Sequence, residues 1–483
     1  GACDGQACGH IGMKYILPTR DLIACDIEAM AEAHRLDGIV LLGSCDKIVP
    51  GMIMAAARLN IPAILLVGGP MAGGIEFDGR RSDSTSVSEA VGMLSAGRIS
   101  KEKFSALENN AAPSCGSCSY YGTANSMGCA AEAMGMSITG SSLIPATASE
   151  RFRAGEMTGI KIVELAKRGI TARDIITRNS LENAAKIMVA TGGSTNTFIH
   201  LSAIANEIGT DAETMMDIYD MASETIPSIA MVNPASPYGM EDFYRAGGIP
   251  RVMKELGDDM DLSCMTVTGK DLGENLNAWS DPFGIDRRVI RTKEDSFGRS
   301  GGLAVLRGNL APGTGITKPI AMDPSMHFFS GPARVFECEE EANGAILAGE
   351  IKEGDVLVIR YEGPKGGPGM REMYFAMKLL YGRGLAKKTA LITDGRFSGT
   401  NNGCFVGHIS PEAAEGGPIA AVRDGDTITI DIKNKKLDVD LSPEELEARL
   451  KDWKRPPQKE LKGILAIYAK LAASAAEGGM MKV

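Results

Sequence analysis

The sequence predicts an α/β fold in two domains: an amino-terminal α/β domain with a parallel sheet over residues 1–299, and a carboxyl-terminal β-rich, barrel-like domain over residues 300–483. Three observations lead to this prediction. The chain of 483 residues is longer than a single hydrophobic core usually allows. A strand–loop–helix–strand pattern lies between Asp37 and Gly69. After about residue 300, short apolar runs alternate with glycine turns.

In the first domain, this pattern predicts a βαβ unit. Its strand, helix and second strand are predicted at Gly38–Leu42, Met52–Leu59 and Ala63–Val67. A βαβ unit implies parallel strands, and open sheets of this kind bind ligands at the carboxyl ends of their strands. The loop Gly43–Gly51 follows the first strand and therefore lies at that edge. From Gly122 to about Asn206 the pattern is mainly helical, with a turn at Thr191–Asn196.

In the second domain, apolar runs of strand length are separated by turns. They lie at Leu303–Leu306, Val356–Arg360, Ala390–Thr393, Thr427–Ile432 and Leu437–Leu441. The last two runs flank a polar turn at residues 433–436, which predicts a hairpin. Two helical patterns, Pro443–Leu450 and Glu460–Ala475, are predicted to end the chain.

The composition indicates a globular protein and excludes several classes of partner. A hydrophobic fraction of 44% is enough for a sizeable core. The net charge of −10 argues against nucleic acids and anionic membranes as partners. No apolar run is long enough to span a bilayer, and no secretory signal opens the chain, so we expect a cytoplasmic protein. The chain starts at Gly1 without Met, inside sequence of functional character, and we expect a processed protein or a fragment.

The loop after the first predicted strand places a thiol, a carboxylate and an amine side by side, at Cys45, Asp46 and Lys47. Thiolates suit iron–sulfur clusters and carboxylates suit magnesium, so adjacent residues of these types can serve two different metals. In the alternative interpretation, Asp46 caps the following helix and Lys47 lies on the surface.

A C-x-x-C pair, Cys115 and Cys118, lies in the segment Pro113–Cys118 ahead of a predicted helix. Such pairs occur in redox, zinc, cluster and purely structural sites. A structural zinc site would need a second pair of ligands at similar spacing, which the sequence lacks. The surrounding small residues indicate a backbone that approaches a ligand closely, and a helix amino terminus favours a thiolate.

Two glycine-rich loops follow strands of the second domain. Tyr361–Glu372 combines prolines with glycines whose amides can face an anion, or else it is an elaborate turn before a helix. Thr393–Thr400 carries Ser398. A lone serine in such a loop is usually a turn residue, and no Ser–His–Asp arrangement accompanies it.

Together these segments resemble the family of dihydroxyacid and 6-phosphogluconate dehydratases, which also includes sugar-acid dehydratases. The likeness spans essentially the whole chain. It rests on the motifs CDKIVPG (45–51), CGSC…GTANSM (115–127), ATGGSTN (190–196), GGLAVLRGN (301–309), YEGPKGGPGM (361–370), TDGRFSG (393–399) and GHISPEAAEGG (407–417). The motif GPKGGPGM resembles the dihydroxyacid branch more than the 6-phosphogluconate branch.

The resemblance implies a role for each matched residue. Cys45 and Cys118 hold an iron–sulfur cluster, of either the 2Fe–2S or the 4Fe–4S type. Ser398 acts as the general base. The implied Mg2+ ligands are Asp4, Asp46, Glu372 and Lys47, the last as a carbamate whose oxygen replaces the amine.

The resemblance also implies the reaction, the fold and the assembly. The reaction is dehydration of a 2,3-dihydroxy acid to a 2-keto acid, with 2,3-dihydroxy-3-methylbutanoate of valine and isoleucine biosynthesis as the leading substrate. The second domain is expected to be an aconitase-like swivelling barrel. The protein is expected to be a homodimer or a dimer of dimers.

Two features depart from the family pattern. Members with a three-cysteine cluster take one ligand from a segment upstream of the residue that matches Asp4, so we expect a fragment whose cluster is incomplete or labile. Thr400, two residues after Ser398, resembles the sugar-acid branch, which keeps a sugar-acid dehydratase as the alternative. A non-catalytic iron–sulfur or redox protein is a further alternative. It leaves unexplained why Asp46, Lys47, Glu372 and Ser398 stand in matched motifs.

Overall fold

The computed structural model describes residues 1–299, 301–399, 403–460 and 462–482. In chain order its α-helices are α1 (Asp4–Ala7), α2 (Ile16–His34), α3 (Ile48–Leu59), α4 (Ser84–Ser95), α5 (Lys101–Asn110), α6 (Thr123–Ala133), α7 (Ser149–Arg168), α8 (Ala172–Ile175), α9 (Arg178–Thr191), α10 (Asn196–Glu207), α11 (Ala212–Thr225), α12 (Met240–Arg245), α13 (Gly248–Leu256), α14 (Leu272–Ala278), α15 (Glu339–Ala348), α16 (Tyr374–Gly382), α17 (Pro443–Asp452) and α18 (Gly463–Leu471). Its strands are β1 (Ile39–Gly43), β2 (Ala63–Val67), β3 (Glu76–Phe77), β4 (Arg80–Arg81), β5 (Ala304–Leu306), β6 (Thr314–Thr317), β7 (Phe328–Phe336), β8 (Val356–Ile359), β9 (Ala390–Thr393), β10 (Cys404–Ser410), β11 (Thr427–Asp431) and β12 (Lys436–Val439).

The chain divides into two compact units. The first unit consists of residues 1–3, 19–83 and 112–302. The second consists of residues 4–18, 84–111 and 303–483. The main change of unit along the chain therefore falls between Gly302 and Leu303, while two earlier segments also belong to the second unit.

The first unit contains the predicted βαβ unit. Strands β1 and β2 pair in parallel, with Ile39 opposite Ala63 and Gly43 opposite Val67, and α3 connects them. The prediction of a parallel sheet is thereby confirmed. Strand β2 is buried along its whole length, as expected for a strand covered on both faces.

Helices form most of the remainder of the first unit. Every residue of α6 is buried, and so are most residues of α9 and α10. A run of small side chains in α6, with Gly128, Ala130 and Ala131, lets neighbouring elements approach closely. This buried helix begins five residues after Cys118, and its Asn125 side chain donates a hydrogen bond to the Cys118 carbonyl.

The second unit contains an eight-stranded sheet among its described residues, in the order β12-β11-β7-β8-β9-β10-β6-β5. Arg307, directly after β5, forms a backbone bridge with Lys436 of β12. The Arg307 amide donates to the Lys435 carbonyl at 3.0 Å, and the Leu437 amide donates to the Arg307 carbonyl at 3.1 Å. The two edges of the sheet therefore meet, which confirms the predicted barrel-like domain. The predicted hairpin is also confirmed, since β11 and β12 are antiparallel neighbours.

Helices α4 and α16 pack closely within the second unit. A Cβ atom added to Gly92 would lie 2.9 Å from the Gly382 Cα atom, so the two backbones leave no room for a side chain. A buried ion pair joins the same helices, with the Lys378 amine 2.9 Å from a Glu89 carboxylate oxygen. In the part of the chain that the structure describes, no helix combines the length and the apolar character needed to cross a bilayer.

Candidate active site

Cys45 lies two residues beyond the carboxyl end of β1 and is partly exposed. Its φ angle of 103° is one that side-chain-bearing residues rarely adopt. Such backbone conformations cost about 1–3 kcal/mol and tend to occur at functional sites. The preceding residue, Ser44, anchors the loop, because its Oγ accepts a hydrogen bond of 2.9 Å from the Gly68 amide.

Cys118 is held close to the same place. The Ser117 amide donates to the Gly69 carbonyl at 2.8 Å. Asn125 of α6 donates from Nδ2 to the Cys118 carbonyl at 2.6 Å. The residues just before Cys45 and Cys118 are therefore bonded to adjacent glycines, Gly68 and Gly69, at the carboxyl end of β2. The structure thus brings the two cysteine loops together at the sheet edge where the sequence places the Cys45 loop.

Several of the other cysteines differ from Cys45 and Cys118 in their exposure. Cys3 and Cys115 are exposed, whereas Cys129 of α6 is fully buried. Burial raises the pKa of the Cys129 thiol far above its usual value, and it raises that of Cys264 and of Cys404 to about 12. Thiols of this kind stay protonated and inert near neutral pH. The partly exposed Cys45 and Cys118 are better suited to bind a cluster.

Asp46 and Lys47 are both buried, with Lys47 entirely inaccessible. The Lys47 amine lies 2.5 Å from Asp46 Oδ1. Helix α3 begins at Ile48 with Lys47, not Asp46, at its N-cap position. The alternative in which Asp46 caps this helix and Lys47 lies on the surface is therefore wrong. The strand and the tightly packed α3 leave Lys47 directed into the interior, so its charge must be matched there.

A histidine that the sequence analysis missed contacts Asp46. His200 of α10 is fully buried, and its Nε2 lies 3.3 Å from Asp46 Oδ1. Arg20 Nη1, from α2, lies 3.3 Å from the other ring nitrogen, Nδ1. Because an arginine can only donate, Nδ1 is the acceptor, and the Nε2–H group therefore donates a hydrogen bond to Asp46. Burial lowers the pKa of His200 to about 3, and the ring is neutral at neutral pH. A neutral imidazole orients the carboxylate without adding a competing cation.

The ATGGSTN motif supports the start of α6. Thr123, the first residue of α6, shares a hydrogen bond of 2.8 Å with the Ser194 hydroxyl. Asn196 donates to the same Thr123 oxygen at 3.0 Å, and the Ser194 amide donates to the Ser126 hydroxyl at 3.0 Å. The motif therefore fixes the helix that follows the CGSC segment. These hydrogen bonds link the motif to α6, and the motif affects the cysteines only through that helix.

Asp4 and Glu372 come together in the second unit. Both are buried, and a carboxylate oxygen of each lies within 4.8 Å of the other. Two buried carboxylates this close repel each other unless a cation or a proton lies with them. Glu372 also accepts a hydrogen bond of 2.8 Å from Arg396 Nη1. The arrangement suits a divalent cation with oxygen ligands.

Ser398 lies in the loop between β9 and β10, and its neighbours are firmly held. The Arg396 amide donates to the Arg371 carbonyl at 3.0 Å, and Arg396 Nε donates to the Met370 carbonyl at 2.6 Å. The Phe397 ring stacks on Phe405 at 5.5 Å between centroids. Ser398 itself is 8% exposed. The loop is thus tied directly to the segment that carries Glu372. Thr400 lies outside the described residues.

Buried carboxylates join the glycine-rich loops to one another. Asp394 accepts hydrogen bonds from the amides of Tyr361, Glu362 and Ala413, at 3.1, 2.9 and 2.9 Å. Glu412 accepts from the Lys365 and Gly366 amides, at 2.9 and 2.8 Å. Burial raises the pKa of Asp394, and it raises that of Glu412 to about 7. The YEGPKGGPGM, TDGRFSG and GHISPEAAEGG motifs therefore form one connected structure, and the first is more than an isolated turn.

Comparison with known proteins identifies the family. Residues 1–275 match the model described as dihydroxy-acid/6-phosphogluconate dehydratase N-terminal, and residues 288–479 match the corresponding C-terminal model. Proteins named dihydroxy-acid dehydratase from Caldanaerobacter subterraneus subsp. tengcongensis and Caldicellulosiruptor saccharolyticus are each 51% identical to this chain. Both alignments cover 100% of the chain, with 86% and 87% of the respective relative. A protein of the same name from Halothermothrix orenii is 48% identical, over 100% of the chain and 87% of the relative.

The matched regions contain every motif on which the resemblance rests. The chain is an enzyme of the hydro-lyase class, and it belongs to the dihydroxy-acid/6-phosphogluconate dehydratase family.

Proposed function

We propose that this dehydratase converts a 2,3-dihydroxy acid to a 2-keto acid, with 2,3-dihydroxy-3-methylbutanoate as its substrate in valine and isoleucine biosynthesis. The observation that carries the proposal is the pairing of the Ser398 loop with the Glu372 segment through Arg396. It joins a candidate base to a candidate metal ligand within one unit. The relatives near 50% identity, all named dihydroxy-acid dehydratase, support the choice of substrate.

We propose that Mg2+ is bound by Asp4, Asp46, Glu372 and a carbamylated Lys47. The close approach of the Asp4 and Glu372 carboxylates supports this assignment, as does the burial of all four side chains. With Mg2+ bound, a carbamate at the buried Lys47 would be favourable, because it would replace an ammonium beside the cation with an anionic oxygen ligand. His200 would keep Asp46 oriented toward the ion.

We propose that Cys45 and Cys118 hold an iron–sulfur cluster of either the 2Fe–2S or the 4Fe–4S type. Their loops meet at Gly68 and Gly69, and both thiols are partly exposed. Glycine at position 69 fits such a site. A Cβ atom there would lie 2.2 Å from the Ile144 carbonyl, so the backbone is already as close-packed as it can be.

The proposed reaction assigns a separate task to each group. When bound, Mg2+ would stabilise negative charge on the substrate carboxylate and C2 oxygen, and the cluster would act as Lewis acid on the C3 hydroxyl. Ser398 Oγ takes the proton from C2. The bond between C3 and its oxygen then breaks, and the departing hydroxide takes up the proton that Ser398 removed from C2 and leaves as water. The enol tautomerises to the 2-keto acid. A neutral serine hydroxyl is too weak a base for this step. The surroundings of Ser398 must therefore lower the pKa of the hydroxyl enough for its ionised form to act as the base.

We also propose that the protein is a cytoplasmic homodimer or dimer of dimers. The family resemblance supports this proposal. Size-exclusion chromatography with light scattering measures the mass in solution, and a purely monomeric species would contradict it.

A substrate panel tests the proposed function. Anaerobically purified protein, prepared with its full natural sequence, is assayed for keto-acid formation from 2,3-dihydroxy-3-methylbutanoate, 2,3-dihydroxy-3-methylpentanoate and several aldonates. We expect the two branched acids to have kcat/KM at least about tenfold above any aldonate, a difference of roughly 1.4 kcal/mol in transition-state binding. A preference for an aldonate would replace the proposal with the sugar-acid alternative. Absence of keto acid from every compound would refute both.

Magnesium binding provides a second test. Asp46→Asn and Glu372→Gln should each weaken Mg2+ binding, because one anionic oxygen is lost, while the cluster absorbance stays at the wild-type level. Isothermal titration calorimetry with MgCl2 measures the affinity, and turnover is followed as Mg2+ is raised. Glu447→Gln, on the exposed face of α17, serves as the control. Wild-type Mg2+ affinity in either active-site variant would remove that residue from the ligand set.

A further inference from the structure

Lys318 is a fully buried lysine that none of the family motifs contains. It follows β6 directly, and only 1% of its surface is exposed. Its Nζ atom donates a hydrogen bond of 3.1 Å to the carbonyl of Gly399, the residue after Ser398. A side chain just beyond the end of one barrel strand thus reaches the loop that connects β9 to β10.

Lys318 has no acidic partner in the part of the chain that the structure describes. No carboxylate lies at ion-pairing distance from its amine, and the Gly399 carbonyl is its one polar contact there. A second fully buried lysine of this unit, Lys378, is paired with Glu89 at 2.9 Å. The two lysines therefore make a natural comparison, because they share burial and differ in partner.

An amine without a counter-charge is an expensive group to bury. Removing an amine from water costs more than one hydrogen bond to a carbonyl restores. A methionine of similar length would fill the same space at lower cost. On this argument the buried lysine lowers the stability of the fold. Its hydrogen bond to the Gly399 carbonyl suggests a compensating functional role at the backbone next to Ser398.

We propose that Lys318 is a positioning residue for Ser398, which it serves by holding the Gly399 carbonyl and thereby fixing the direction of the Ser398 hydroxyl. This inference rests on the proposed role of Ser398 as base. Arg396 and Phe397 hold the loop before Ser398. Lys318 holds the loop at Gly399, the residue after Ser398, so the backbone is restrained on both sides of the serine. Misplacement of a reacting group by about 1 Å can cost on the order of 100-fold in rate.

The state of the amine fits this role. Burial lowers the pKa of Lys318 to about 7. A neutral amine and an ammonium both donate to the Gly399 carbonyl, so the contact persists whether or not the amine is protonated. The proposed restraint on the loop therefore does not depend on the charge of Lys318.

The test compares Lys318→Met with Lys378→Met, both in the full-length holoenzyme. Lys318→Met should lower kcat about 10- to 100-fold and leave KM within about twofold, because the substrate contacts remain. Its Tm should equal or exceed that of the wild type, since an unpaired buried amine is removed. Lys378→Met should behave in the opposite way, with Tm lower by about 5–10 °C, because the buried Glu89 carboxylate loses its ion pair with Lys378, and with turnover per folded molecule unchanged.

Hydrogen–deuterium exchange without substrate provides a readout that does not need activity. Peptides that contain Ser398 should exchange about tenfold faster in Lys318→Met than in the wild type, and at the wild-type rate in Lys378→Met. Unchanged exchange in Lys318→Met, or a lower Tm with wild-type kcat, would overturn the proposal and leave Lys318 as a structural residue. A wild-type enzyme that forms no keto acid from any acid of the panel would instead refute the proposed function.

Discussion

Cys45 combines a thiol with a backbone conformation that few side-chain-bearing residues adopt. Its φ angle of 103° is maintained by contacts on both sides, through Ser44 to Gly68 and through the tightly packed α3. A conformation of this kind directs a side chain where a regular turn would not. The local strain is therefore consistent with a thiol that must point at a fixed target.

The cysteine assignment leads to a first prediction. Cys45→Ser and Cys118→Ser should each lose the iron–sulfur absorbance and turnover, since a hydroxyl does not replace a thiolate as a cluster ligand. Cys264→Ser, at a buried thiol with a raised pKa, should retain both. Visible absorbance and iron content per chain are the measurements. Wild-type iron content in Cys118→Ser would contradict the assignment.

Ser398 allows a prediction that separates catalysis from folding. Ser398→Ala should fold normally and bind both metals, yet lose about 10²–10⁴-fold in turnover, the range usual for a general base. It should also fail to exchange the C2 hydrogen of the substrate with solvent. Thermal melting, turnover and exchange followed by NMR are measured on one preparation. A variant with a lower melting temperature and normal turnover would make Ser398 a turn residue.

At this scale, the sequence predicts chemistry better than contacts. The order thiol, carboxylate, amine at Cys45, Asp46 and Lys47 pointed to a site, because these groups are costly to bury without a purpose. The contact of His200 with Asp46 could not be predicted. It joins residues 154 positions apart, and a histidine in an apolar helix is usually a packed core residue. A histidine four residues after the end of the ATGGSTN motif was the available signal.

Among the elements, the turn after β2 has the strictest steric requirement near the cysteines. Gly69 has a φ of 88°, and a Cβ there would collide with the Ile144 carbonyl. The Gly69 carbonyl accepts a hydrogen bond from the Ser117 amide. One residue thus joins the end of β2 to the CGSC segment.

We therefore predict that Gly69→Ala lowers both Tm and cluster content. Strain at positive φ costs about 1 kcal/mol, and the collision adds to it by displacing the Ser117 contact. Gly169→Ala is the matched control, because Gly169 has a φ of 69° with no atom near its would-be Cβ. Differential scanning calorimetry and iron analysis compare the two. Equal effects would mean that backbone strain alone matters at residue 69.

The elements themselves were predicted unevenly. Strands β2 and β9 have the bounds that the sequence predicts, since each is a short apolar run between turn residues. Helix α3 begins at Ile48, four residues before the predicted start, because Pro50 is tolerated in the first turn of a helix. Strand β7 was not predicted. Its burial is irregular and it contains Gly331 and Pro332, so it lacks the alternation of a typical strand.

Across the whole molecule, buried carboxyl groups are concentrated in the barrel unit. Burial raises the pKa of both Glu362 and Glu412 to about 7. Among the described residues, Oε2 of Glu362 has no hydrogen-bond partner, which suits a protonated acid. In the folded protein these groups bind protons at pH values where the unfolded chain has released them.

This raised pKa sets the direction of a pH prediction. Between about pH 4.5 and 7 the folded state binds more protons than the unfolded state, so the free energy of unfolding falls as pH rises, and the loss is complete above pH 7. Glu362→Gln removes one titrating group and should reduce the slope by up to about 1.4 kcal/mol per pH unit. Urea unfolding at pH 5, 6 and 7 measures it. If Glu362→Gln leaves the pH dependence of the free energy of unfolding unchanged, Glu362 is ionised over this whole pH range. The control, Glu447→Gln at an exposed position, should show the same pH dependence as the wild type.

The composition of the units was beyond prediction from local patterns. The segments Asp4–Pro18 and Ser84–Ala111 belong with the barrel unit, although both lie within the first quarter of the chain. What assigns the second segment is the contact of Gly92 with Gly382 and the ion pair of Glu89 with Lys378. Such pairings depend on the three-dimensional packing of distant helices, and hydrophobic periodicity carries no information about the partner.

Closure of the barrel by the bridge between Arg307 and Lys436 has a consequence for solubility. An open sheet presents unpaired amides and carbonyls that can recruit strands of other molecules, the usual first step toward aggregation. In the eight described strands of this sheet, the outermost two are bonded to each other through their flanking residues. The barrel therefore hides the groups that would template strand addition, and insertions or sequence changes are better tolerated in its connecting loops than along its strands.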